Sequence, residues 1–358
     1  MLISDPYATD TVARLEARGF FAGTAVSAVE PLHRRSRCYR VRLADGRSLF
    51  VKRRSRATAE SFAASFAYER LLTDELAGRS IRIPVEFLVL AADDDEILVA
   101  EDLIGYTPLS ERRAEAGGTS EAWAFEAGRR LALLHRATSG EASVGLASNG
   151  GDVRRVRLPE RLLTALTVVS PGPAASGSDA WGELLGRVRR AGLLSGLEIA
   201  VAQWSPGCVI HGDVTEDNLQ CAETVDAREP VVFVDWESAG YGDPRWDFGC
   251  LIGDFLGAWL ADLGFRDGSS LAERADGAAV PLPRLLADIR AGMAGYESVL
   301  PQGAEDRRQW ARFAALSLLE KVAGFAAGAP ALPPSALAYL HAAEQLALRP
   351  DAALEVLS

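Results

Sequence analysis

The stretch CVIHGDVTEDNLQ (Cys208–Gln220), with VVFVDWESAGYGDPRWDF (Val231–Phe248) after it, decides how this chain is read. The apolar run Cys208-Val209-Ile210 delivers His211-Gly212-Asp213 to a loop, and Asn218 follows Asp213 by five positions. A second apolar run, Val231 to Val234, reads as a buried strand that ends on Asp235. Two strands are thus expected to present an acid, an amide and a second acid near one point. Magnesium is a hard cation that takes oxygen ligands, commonly one or two protein groups plus phosphates. Asp235 supplies a carboxylate and Asn218 a neutral amide oxygen, while Asp213 is placed to accept the proton of an attacking hydroxyl. Positioning and charge neutralisation do the rest of phosphoryl transfer. Taken singly, each Asp is equally at home in a turn or a helix cap.

Taken together, the residues resemble the catalytic core of the aminoglycoside phosphotransferase and choline kinase family, the small-molecule branch of the protein-kinase-like fold. His211-Gly212-Asp213 stands where protein kinases carry His-Arg-Asp, with the same gap to Asn218. The likeness continues in Asp235-Trp236, at the Asp-Phe-Gly place, and in Gly242-Asp243-Pro244-Arg245-Trp246-Asp247. The resemblance implies that Asp213 is the catalytic base and that Asn218 and Asp235 are metal ligands. His211 and Asp247 would support the catalytic loop, Asp247 from the start of a helix. ATP and magnesium are the implied cofactors.

Composition bounds this reading without naming a substrate. The 358 residues suffice for two lobes, and 48% hydrophobic content suffices for a sizeable core. No apolar run reaches the length of a membrane span, and the N-terminus lacks the order of a secretion signal. Four cysteines, Cys38, Cys208, Cys221 and Cys250, show no metal-type spacing and read as reduced thiols of a cytoplasmic protein. A net charge of −11 argues against nucleic acid as partner. It suits a cationic acceptor and serves solubility equally well. Of 38 basic residues only Lys52 and Lys321 are lysines. A lysine kept in such an arginine-rich chain points to a place for a compact charge. Lys321 has no explanation at this level.

Along the chain, residues 5–19 read as an amphipathic helix with Asp5 as cap and Pro6 in its first turn. Tyr39, Val41 and Leu43 alternate with Arg40 and Arg42 as a half-buried strand, Asp45-Gly46 turns it, and Ser48 to Arg53 returns. With a weak strand read over Thr24 to Glu30, Lys52 falls on the third strand, where kinases place the lysine that binds the α- and β-phosphates. The preceding loop, residues 32–37, has no Gly-x-Gly-x-x-Gly; its arginines either face phosphates or form a solvated tip. Residues 57–77 read as a helix with Phe62, Phe66 and Glu69 on one face. A buried acid needs a partner, and Lys52 is the one expected for Glu69, rather than for Glu60 or Glu75. Two strands, Ile83 to Ala91 and Glu96 to Ala100, lead to Glu101-Asp102-Leu103. This segment resembles the family's hinge, so the Glu101 carbonyl and Leu103 amide are its adenine-binding candidates.

The rest is expected to be helical: Trp123 to Ala137, ending on Leu134-His135 with His135 structural; Leu158 to Val169; Glu183 to Ala202; and four segments after Asp247. Residues 138–157 and 170–178 read as loops. The expectation is an α+β, two-lobed, protein-kinase-like fold: residues 1–103 as a nucleotide-binding lobe of antiparallel sheet plus helix, and 104–358 as a helical catalytic and acceptor-binding lobe. Its activity would be ATP- and magnesium-dependent transfer of the γ-phosphoryl group to a small-molecule hydroxyl, on an aminoglycoside, amino alcohol or sugar-like acceptor. Two alternatives stay open. One is a serine/threonine kinase of a peptide, although Thr215 stands where such kinases carry a lysine. The other is a catalytically silent nucleotide-binding partner.

Overall fold

The computed structural model describes residues 5–32, 37–55, 86–92, 95–115, 120–140, 179–190, 192–264, 271–327 and 329–357. The loop tip at 33–36, the helix expected over 57–77 with Glu69, the helix expected over 158–169 and the break at 170–178 lie outside them. The chain divides into two compact units, one comprising Met1–Tyr106 with Val232–Glu237, the other Thr107–Val231 with Ser238–Ser358.

The first unit begins with α1 (Pro6–Ala17), capped as the sequence predicts: the Asp5 carboxylate accepts from the Tyr7 N–H at 2.9 Å. The other Asp5 oxygen accepts from the Tyr39 hydroxyl at 3.1 Å, which ties the helix start to the sheet. Five strands follow, β1 (Val26–Leu32), β2 (Arg37–Leu43), β3 (Ser48–Ser55), β4 (Glu86–Ala92) and β5 (Asp95–Glu101). They form one antiparallel sheet in the order β1-β2-β3-β5-β4. Cross-strand partners share a face, so Tyr39, Val51 and Val99 point one way and Cys38, Lys52 and Leu98 the other. The first face makes the core, where Tyr39, Val41, Leu43, Leu49, Val51, Ile97 and Val99 pack with Ala8, Leu15 and Phe21. Arg53 is also buried, and it donates to the Tyr7 carbonyl and the Thr11 hydroxyl while pairing with Asp10 at 2.8 Å.

The second unit contains β6 (Thr107–Pro108), α2 (Leu109–Ala114), α3 (Glu121–Ala137), α4 (Asp179–Arg190), α5 (Leu193–Ala202), β7 (Cys208–Ile210) and β8 (Leu219–Cys221). The strand β9 (Val231–Phe233) carries the chain into the short segment assigned to the first unit. After it come β10 (Gly240–Gly242), α6 (Pro244–Asp262), α7 (Leu271–Asp276), α8 (Leu282–Glu297), α9 (Ala304–Ala326), α10 (Pro334–Leu348) and α11 (Pro350–Leu357). The single helix expected over 183–202 is two, because Gly192 sits at φ +69°, a left-handed conformation that ends one helix before the next begins. After Asp247 the described residues are mainly helical as expected, with the short α7 and the terminal α11 added to the four expected segments. Phe248, Tyr296 and Trp310 stack with centroids 4.4–5.4 Å apart, and Trp246 meets Trp204 and Phe313. These rings form the floor under the loop that follows β7. All four cysteines are buried thiols outside any disulfide. Among the described residues no helix is long and apolar enough to cross a membrane.

Candidate active site

In the helical unit, β7 is fully buried and pairs antiparallel with β10, which sets the point where the chain leaves the sheet at His211. The loop from there is gripped by the start of α6. Asp243 caps that helix, accepting from the Arg245 N–H at 3.0 Å, and Pro244 occupies the first turn. The cap carboxylate also receives the Arg245 side chain and the Ser205 N–H. One turn on, Asp247 is fully buried, and its two oxygens accept from the His211 N–H at 2.7 Å and the Gly212 N–H at 2.8 Å. The Trp246 indole donates to the Gly212 carbonyl at 3.1 Å. Gly212 itself has φ +84°, and a Cβ there would lie 2.3 Å from the Ser238 carbonyl oxygen, so no other residue fits.

Asp247 is held in turn by His135, whose Nε2 lies 3.1 Å from it while Nδ1 lies 2.8 Å from the Tyr296 hydroxyl. With the carboxylate as acceptor, Nε2 donates and Nδ1 accepts the hydroxyl hydrogen. Burial holds the Tyr296 phenol well above its usual range, so that donor stays protonated. His135 is therefore the structural histidine expected from the sequence.

Beyond Gly212 the Asp213 side chain is exposed. Its N–H faces His211 Nδ1 at 3.4 Å. The Asn218 amide donates to the Asp213 carbonyl at 3.0 Å and to its carboxylate at 3.3 Å. That leaves the Asn218 side-chain oxygen without a donor among the described residues, a suitable ligand for a hard cation. His211, Asp213, Asn218 and Asp247 are thus brought together within one unit.

In the sheet unit, Lys52 Nζ lies 2.7 and 2.8 Å from the two oxygens of Asp235. The lysine is buried on the face opposite α1, and the Asp235 side chain is about one-third exposed. Asp235 has φ +66°, a left-handed conformation that Asp tolerates better than most residues. The Trp236 indole, donating to the Phe233 carbonyl at 3.1 Å, closes the turn around it. Glu69, the expected partner of Lys52, lies outside the described residues. At the end of β5, Glu101 pairs with Leu49 across the sheet. Asp102 then accepts from Arg40 at 2.7 Å and from the Ser48 hydroxyl at 2.6 Å, which anchors this connection to β2 and β3. The Leu103 carbonyl accepts from Tyr106, and its N–H has no acceptor among the described residues.

The sequence reading missed four residues that hold the loop between Asp213 and Asn218. The Glu216 carboxyl is buried against Arg113 at 2.7 Å, and burial pushes it up to about 8, with Arg113 acting the other way. The Glu216 N–H donates to Asp254 at 2.7 Å, and the other oxygen of Asp254 receives Lys321 at 2.7 Å. The signal for Asp254 was available: it follows Asp247 by seven residues, two turns along one face of α6.

Residues 31–280 match the phosphotransferase enzyme family. No curated protein matches the chain by sequence. Among solved structures, an amicoumacin kinase in complex with AMP-PNP, Ca2+ and Ami is 12% identical, with 95% of this chain and 96% of that one covered and a TM-score of 0.57. Choline kinase from Cryptosporidium parvum Iowa II is 10% identical, with 94% and 92% covered and a TM-score of 0.54. At these identities the likeness is one of fold, the α+β protein-kinase-like fold expected from the sequence. The match over 250 consecutive residues, which spans Lys52, the loop from His211 and the start of α6, makes this chain a member of the phosphotransferase enzyme family.

Proposed function

We propose that the chain is an ATP- and magnesium-dependent kinase that transfers the γ-phosphoryl group to a hydroxyl of a small molecule such as an aminoglycoside, amino alcohol or sugar. Asp213 takes the proton of the acceptor hydroxyl as the new oxygen–phosphorus bond forms and the bond to the departing ADP breaks. Lys52 neutralises the phosphates, and Asp235 and Asn218 are the oxygen ligands for magnesium, which when bound offsets charge on the phosphates. The Glu101 carbonyl and the Leu103 N–H would receive adenine. Family membership supports the reaction class, and the AMP-PNP of the amicoumacin kinase supports the choice of nucleotide.

The observation that carries this reading is the state of Asp213. Its backbone neighbours are clamped by buried Asp247, its own carboxylate is exposed, and the Asn218 amide reaches it from the other end of the loop. A proton acceptor needs that combination of fixed position and access. The test is a screen of aminoglycosides, amino alcohols, sugars and peptides for acceptor-dependent ADP release. Asp213→Ala is expected to lower turnover on the acceptor found by about 10²–10⁴-fold. Full turnover in that variant would overturn the assignment.

A further inference from the structure

We propose that Asp254, held in place by Lys321, is a positioning residue that fixes the catalytic loop at Glu216 and so sets where Asp213 stands. This rests on the reading of Asp213 as the proton acceptor.

The loop is gripped at two points by one helix. Asp247 of α6 holds the N–H groups of His211 and Gly212, just before Asp213. Asp254, two turns further along α6, holds the N–H of Glu216, three residues after it. Asp213 is therefore suspended between two carboxylates of the same rigid element. Glu216 opens the short helical turn Glu216–Asn218, and the first N–H groups of such a turn have no acceptor of their own. Asp254 supplies one, through a charge-assisted bond of the stronger kind. Asn218 closes this turn and donates back to Asp213, so a shift at Glu216 is passed to both residues.

Lys321 of α9 fixes the carboxylate that does this. Its ammonium takes one Asp254 oxygen at 2.7 Å and leaves the other for Glu216. The Asp254 side chain is only 13% exposed, so without the lysine an unpaired carboxylate would sit in poorly hydrated surroundings. Burial works against the Lys321 ammonium, but Asp254 and, more weakly, Asp213 raise it above the usual lysine range, so it stays charged. Its stem runs flat along α6 at Gly257, where a Cβ would come within 3.1 Å of Cδ and Cε.

The test compares Asp254→Ala, Asp254→Asn and Lys321→Met with Asp213→Ala in the full chain. Two readouts are followed: turnover of magnesium ATP, with water and with the acceptor from the screen, and hydrogen exchange of the amides of 213–219. In Asp254→Ala we expect kcat to fall about 10–10²-fold, the cost of misplacing a reacting group by about 1 Å. KM for ATP should stay within about twofold. Exchange at Glu216 should quicken at least about tenfold. Asp254→Asn keeps an oxygen for the Glu216 N–H and should retain most of kcat, and it stands in should the alanine variant fail to fold. Lys321→Met should fall between the two. Unchanged kcat and exchange in a folded Asp254→Ala, beside an inactive Asp213→Ala, would overturn this inference alone. Full turnover in Asp213→Ala would overturn the kinase reading beneath it.

Discussion

Asp247→Asn is the sharpest test of how the loop is built, because it changes one atom of a fully buried side chain. The two carboxylate oxygens each accept a backbone N–H, from His211 at 2.7 Å and Gly212 at 2.8 Å, and one also meets His135 Nε2 at 3.1 Å. An amide offers one acceptor and one donor group to these two backbone donors. Whichever way it turns, one backbone N–H loses its acceptor and faces a second N–H. A hydrogen bond to a charged group contributes about 1.5–3 kcal/mol, and a buried donor left unpaired costs about 1–3 kcal/mol. These overlap, so the expected loss is about 2–4 kcal/mol, rising to about 3–6 kcal/mol in Asp247→Ala, where both N–H groups are stranded. Urea unfolding followed by tryptophan fluorescence reads this directly, since Trp246 donates to the Gly212 carbonyl beside the lesion. A loss below about 1 kcal/mol in Asp247→Asn would refute the account of Asp247 as the loop's clamp.

The remaining predictions concern two residues of the same loop. Gly212→Ala combines a left-handed backbone with a Cβ placed 2.3 Å from the Ser238 carbonyl oxygen, so it should destabilise by more than the ~1 kcal/mol of glycine's conformational advantage alone. Thermal melting of that variant checks it, and a wild-type transition would remove the steric argument. Glu216, pushed by burial up to about 8, keeps a proton in the folded chain that the unfolded chain releases above its ordinary value of 4.5. The folded state thus binds more protons between these values, and stability is lost as pH rises from about 4.5 through about 8, by on the order of 5 kcal/mol. Glu216→Gln cannot ionise and should flatten that part of the stability–pH curve; equal slopes in the two proteins would contradict it.

The motif between Cys208 and Phe248 was legible because its letters act locally. Asp243 caps, Pro244 starts the helix, Asp247 reaches back to a loop that the HGD signature already marks, and Asn218 turns onto Asp213. The hairpin carrying Lys52 was legible for a similar reason, since alternation along Tyr39-Val41-Leu43 fixes which face each partner occupies. What stayed hidden was long-range or conformational. Arg113 meets Glu216 across 103 positions and Lys321 meets Asp254 across 67, separations at which no sequence period carries a signal. The two-helix break at Gly192 was missed because apolar spacing runs on across it, and only the backbone conformation of that glycine reveals the stop.

The two lysines make sense only once both contacts are seen. Among the described residues several carboxylates are gripped by the planar fork of an arginine: Arg40 on Asp102, Arg245 on Asp243 and Arg307 on Glu297 each engage with more than one nitrogen. Lys52 and Lys321 instead place a single ammonium on Asp235 and on Asp254. Under the proposed mechanism Asp235 needs its oxygens for a cation and Lys52 needs its charge for phosphate. A point charge on a flexible stem can exchange partners there, whereas a two-pronged guanidinium would hold the carboxylate shut. At Asp254 the single ammonium takes one oxygen and leaves the other for the Glu216 N–H. Both lysines thus stand on carboxylates tied to the proposed chemistry, Asp235 as a cation ligand and Asp254 as a support of the loop that carries Asp213.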